Sequence, residues 1–161
     1  MRQTLQIFLA GLTVFFFFQN AGGAAVENSI ETKFATVQYS DEDQLRNFLW
    51  RITGQRVALA DSSDLVKNRV DELVGRVEAM LEMYPEGVHF FITFKALSTQ
   101  GTVAEYSHAT RTIFVVLDRV TDGILAHEMA HAVMNAYFPV PPPKKAQEIL
   151  AQYVDAHLYN L

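Results

Sequence analysis

The sequence has no cysteine. That absence excludes thiolate metal ligands, disulfides and a lipid-modified N-terminal cysteine. It also lacks any excess of basic charge. Thirteen Lys and Arg against eighteen Asp and Glu leave a formal net charge of −5, with no basic footprint for nucleic acid. The apolar run at residues 7–18 is twelve residues long, too short to span a bilayer comfortably. No internal repeat, low-complexity tail or second domain is legible. What is present is a globular composition: 161 residues, half of them hydrophobic, twelve of them Phe. That is enough for one domain with a real core.

Arg2 followed by the apolar run and then by the small residues Gly23 and Ala25 reads as a secretory signal, cleaved after Ala25. The alternative is a retained membrane anchor; no stable anchor is expected. The expectation is therefore a signal peptide over 1–25 and a single domain over 26–161. Export without disulfides suits a bacterial periplasmic or secreted protein.

Along the chain, residues 34–39 alternate as a short strand. Ser40 before three acids reads as a helix N-cap, and Leu45, Phe48, Leu49 and Ile52 follow at helical spacing up to Gly54. Residues 57–60 make a possible strand. The cluster 61–64 caps a long helix expected to run to about Tyr84, with Val66, Val70, Leu73, Val77, Met80, Leu81 and Tyr84 inward. Residues 88–95 form a strand burying Phe90, Ile92 and Phe94, with His89 opposite. Residues 97–101 are a loop. Residues 102–106 and 112–117 form a hairpin with His108 at its tip. Thr121 or Asp122 caps the next helix, which Pro139 stops, and Pro143 opens the last one, to about Tyr159. This is an α+β pattern.

The chain's chemistry centres on His127-Glu128-Met129-Ala130-His131. On a helix, residues four apart share a face, so His127 and His131 can reach one ion. Neutral imidazole suits zinc. Glu128 projects about 100° away and sits beside the water that the ion activates, as a general base.

A third protein ligand is needed. No histidine or glycine extends the motif in the metzincin manner. The short Pro-rich turn after Phe138 predicts an antiparallel helical hairpin. At 1.5 Å per residue, His131 and Glu148 are about 9 and 8 Å from that turn, hence level. Glu148 is the expected ligand. Asp155 is two turns further along, and His157 points away. Gln147 should lie near His131 or the helix junction and Gln152 should approach His127, where an amide oxygen would fix an outer ring nitrogen; the alternative for both is plain solvation.

His127–His131 followed by Gln147-Glu148-Ile149-Leu150-Ala151-Gln152-Tyr153 resembles the gluzincin, thermolysin-like metallopeptidases, by size the minigluzincin and peptidase-MA-like members. The resemblance covers roughly residues 57–161. It implies a zincin-like fold: a small mixed sheet on a backing helix, the HExxH helix and an antiparallel glutamate helix. It implies Zn2+ on His127, His131 and Glu148, with Glu128 as catalytic base. The sequence departs from the group at Gln147 and Gln152, where Asn and Asp are usual, and lacks the C-terminal subdomain that supplies the oxyanion donors. Tyr106, Tyr153 and His157 are the candidates to replace them. The expected function is zinc-dependent hydrolysis of a peptide or protein substrate. The alternative is a non-hydrolytic, zinc-stabilised scaffold or binding module.

Overall fold

The computed structural model describes residues 28–55, 62–95 and 101–160. The expected signal segment, the possible strand at 57–60 and most of the loop at 97–101 lie outside the described residues.

The architecture is α+β, with four helices and one mixed sheet of five strands. The order of elements is β1 (Asn28–Glu31), β2 (Ala35–Tyr39), α1 (Glu42–Thr53), α2 (Ser62–Leu81), β3 (Phe90–Lys95), β4 (Ala104–Ser107), β5 (Thr112–Val116), α3 (Asp122–Tyr137) and α4 (Lys144–His157). The sheet order is β1-β2-β3-β5-β4. β2, β3 and β5 run parallel, and β1 and β4 are antiparallel to their neighbours. β4 is thus an edge strand among the described residues.

Alternation sets the buried face of the sheet. Phe90, Ile92 and Phe94 of β3 stand in register with Ile113 and Val115 of β5, and all five are buried. Continuing the register, Ala104 and Tyr106 of β4 share that face. The helices cover it. α2 contributes Val66, Val70, Leu73, Val74 and Val77, all fully buried, and packs against α1, α3 and α4. Burying one such side chain contributes ~1.5–3 kcal/mol, so this stripe fixes where α3 can lie. α3 in turn packs on α4 and beside β4.

The helix ends differ from expectation in detail. The N-cap of α1 is Asp41, whose carboxylate accepts from the Gln44 N–H at 2.8 Å; Ser40 lies just outside. α2 stops at Leu81, before Pro85. Glu82 turns left-handed (φ 53), and the Met83 N–H returns to the Glu78 carbonyl at 3.0 Å. The chain therefore leaves the helix before Tyr84, whose ring is 64% exposed. Pro143 is the N-cap of α4, not its first turn. β1 was not expected, because Ile30 is the only apolar residue in it.

Candidate metal centre

α3 starts at Thr121, whose hydroxyl accepts from the Ile124 N–H. Its buried side presents Leu125, Ala126, Met129, Ala130 and Val133 to the core. His127, Glu128, His131 and Asn135 are left half-buried on the opposite side. Together with Ala104, Glu105, Tyr106 and His108 from the β4 hairpin, and Lys144, Gln147 and Glu148 from α4, they line a cavity of about 420 Å³.

His127 Nε2 stands 3.4 Å from Glu148 Oε1, and His131 Nε2 stands 3.6 Å from Glu148 Oε2. The three ligand atoms lie within 4.8 Å of one another. Both separations exceed the usual 2.7–3.2 Å of an N–H···O hydrogen bond. They are close to another length. Two ligands on one tetrahedral ion, each about 2.0–2.1 Å away, are about 3.3–3.4 Å apart. The two separations run to different oxygens of Glu148 and are of that order, and the three residues form a group that can hold a metal ion. Burial holds His131 below the ordinary histidine range, with the neighbouring His127 pushing the same way. The ring is then neutral near pH 7, as a metal ligand must be.

Gln147 defines the ring orientation of His131. Its amide NH2 donates to the Pro142 carbonyl at 2.7 Å, and a carbonyl can only accept. Its oxygen is thereby turned inward, 3.4 Å from His131 Nδ1 and 3.2 Å from the Asn135 amide nitrogen. A hydrogen bond across that 3.4 Å requires the hydrogen on Nδ1, the tautomer that leaves the Nε2 lone pair free toward Glu148. Asn135 also donates to the His131 carbonyl at 2.7 Å.

Glu128 is not one of the three grouped donors. Its Oε2 accepts from the Tyr106 backbone N–H of β4 at 2.8 Å. Burial raises its pKa above the ordinary carboxylate range; the Tyr106 hydrogen bond and His127 oppose this, and Glu148 and Glu105 reinforce it. A half-buried carboxyl whose pKa is raised by burial is chemically able to accept a proton.

Of the other residues expected near the centre, Tyr106 lines the cavity, whereas Tyr153 and His157 do not. Those two stack on one another, ring centroids 4.4 Å apart, on the outer side of α4. Gln152 is exposed and, among the described residues, makes no hydrogen bond to His127. The reason is angular. The buried stripe of α4 runs through Ala151, Val154 and Leu158. At 100° per residue Glu148 lies on its rim, and Gln152 a further ~40° toward solvent. Asp155 is on the α3 side instead, and its carboxylate fills the space where a side chain at Gly123 would be. That is the first turn of α3, below His127.

Sequence reasoning missed Asn135, Lys144 and the Tyr106 N–H. Asn135 was findable, since it stands four residues beyond His131 and so on the same face. Lys144 has the same relation to Glu148. The Tyr106 contact depends on which edge of β4 faces α3, and no local pattern encodes that.

The fold and this group define an α+β chain with a His127–His131–Glu148 cluster that can hold a metal ion. Compared with family models, with curated proteins and with solved structures, the chain gives no match.

Proposed function

We propose that this chain is a zinc-dependent peptidase of zincin-like, gluzincin type, acting outside the cytoplasm. One observation carries the reading. Three residues whose donor atoms lie within 4.8 Å of one another and a separate, half-buried carboxyl, Glu128, line one cavity beside an edge strand. A module needing only the ion has no use for Glu128.

Zinc bound by His127, His131 and Glu148 would supply the acidity that makes water a nucleophile near neutral pH, and would polarise the scissile carbonyl. The chain's residues do the rest. Glu128, aimed by the Tyr106 N–H, accepts the water's proton and delivers it to the leaving amine. Gln147 keeps His131 in the tautomer that leaves Nε2 as a donor atom. The Tyr106 phenol, in the cavity wall, is the candidate to stabilise the developing oxyanion.

The substrate is a peptide in extended form. Tyr106 sends its N–H away from β5, and residues two apart on a strand face alike, so the Ala104 N–H and carbonyl also point outward. A peptide adding there as a sixth strand pairs main chain to main chain, with loose sequence preference. A peptide-library digest with the zinc-loaded and the chelated protein tests the reading. Cleavage that needs zinc is expected. Zinc binding with no cleavage of any peptide would favour the scaffold reading instead.

A further inference from the structure

A second cavity, about 260 Å³, adjoins the first, and the two share Tyr106, His108 and Asn135 as a common wall. At about 30 Å³ per water, it has room for a side chain, not merely a solvent molecule. Arg111 lines it. Arg111 closes the β4–β5 turn with φ 50, a left-handed conformation that disfavours any residue with a Cβ and suits glycine. Its backbone is pinned there: the N–H donates to the His108 carbonyl at 3.4 Å, and the carbonyl accepts from the Phe91 N–H at 2.8 Å. This left-handed turn sets the Arg111 side chain at the wall of the second cavity.

Arg111 is exposed, and its guanidinium has no counter-ion among the described residues, which leaves it free for a ligand. Arg46, Arg69 and Arg76 each pair with a carboxylate, whereas Arg111 forms no ion pair among the described residues. Glu86, the carboxylate in the same wall, is not within ion-pair distance of it, and the nearby His89 is engaged with the Thr36 hydroxyl at 3.0 Å. Arg111 is close enough to Tyr106 for its charge to act on the phenol, and Tyr106 lines both cavities.

We propose that the second cavity is a carboxylate subsite of the same cleft, in which Arg111 binds a substrate carboxylate beside the scissile bond. That the ligand is a peptide rests on the peptidase reading; that it carries a carboxylate rests on Arg111 alone. The carboxylate can be a peptide's C-terminus or an acidic side chain.

Calorimetric titration of the zinc-loaded chain carrying Glu128→Gln, which prevents turnover, decides the matter. The probes are acetyl-trialanine as free acid, its C-terminal amide, and two amidated peptides with central Glu or central Gln. A charge-assisted contact predicts one acid-bearing probe binding on the order of tenfold tighter than its neutral counterpart. The free-acid pair reports a terminal carboxylate and the Glu/Gln pair a side chain. Arg111→Gly should erase the preference without lowering the melting temperature, since glycine suits φ 50, and Arg111→Gln should erase it as well. Equal binding of all four probes, binding of none, or a preference that survives both substitutions overturns the proposal. Failure of the peptidase reading looks different: wild type cleaves nothing while the carboxylate preference remains.

Discussion

The Gln147 amide bonds Pro142 through its nitrogen and faces His131 through its oxygen, whereas Gln152 is turned to solvent. The two glutamines therefore predict opposite outcomes. Gln147→Ala should lower zinc affinity about 10–100-fold, the usual effect of losing a partner that orients a ligand. Gln152→Ala should leave it unchanged. Competition titration against a chelator measures both, and equal effects would refute the ring-orientation account. A second residue-scale prediction concerns acid. The hydrogen bond from Arg69 holds Glu72 below the ordinary carboxylate range despite some burial, and the charges of Arg69 and Arg76 add to it. A lowered folded-state pKa stabilises the fold above the ordinary carboxylate range and loses that contribution as pH falls through the lowered value. Glu72 is half-exposed, so the effect is small. Glu72→Gln should flatten the acid limb of stability against pH, read by denaturant titration; an unchanged limb would contradict the assignment.

Each element was legible where its pattern was local. The stripes of α1 and α2, the HExxH helix and the alternation of β3 are written in consecutive residues, and they fold as that spacing predicts. β1 was not legible, because its stability comes from pairing with β2, not from its own side chains. Tyr84 followed the helical spacing, but a left-handed Glu82 breaks the helix first. At the centre, the levelling of Glu148 with His131 followed from counting residues on either side of the turn. The angular position of Gln152 did not, because Glu148 already lies on the rim of the buried stripe and the ~40° net rotation over four residues carries Gln152 out to solvent. His108, expected at the hairpin tip, and Arg111 in the same loop line cavities because the hairpin folds against α3. β4 carries the element-scale prediction. Proline is tolerated on an edge strand where the N–H faces outward. Ala104→Pro should keep the fold, with a melting temperature near wild type, while lowering kcat/KM for extended peptides. Unimpaired turnover would mean the peptide does not lie along β4.

For the whole molecule, α3 and α4 meet around the metal donors, so an ion bound there ties the last two helices together and both to the core through α2. Anything that binds only the folded chain stabilises it by mass action, ~4 kcal/mol at a thousandfold excess over Kd. Chelation should therefore lower the melting temperature, and His131→Ala should remove that dependence; a chelator-insensitive melt in wild type would argue against a bound metal. The strand order was beyond local reading, since β2 and β3 pair in parallel across two intervening helices. The central claim, that Glu128 is the base of a zinc peptidase, is tested most directly by one comparison. Steady-state kcat/KM on a cleaved peptide is measured for wild type and Glu128→Gln at equal zinc content. Glu128 is not among the metal donors, so the variant should keep its zinc and fold while losing at least ~10²-fold in kcat/KM, the lower end of general-base contributions. Wild-type turnover in Glu128→Gln, with zinc equal in both, would contradict the account.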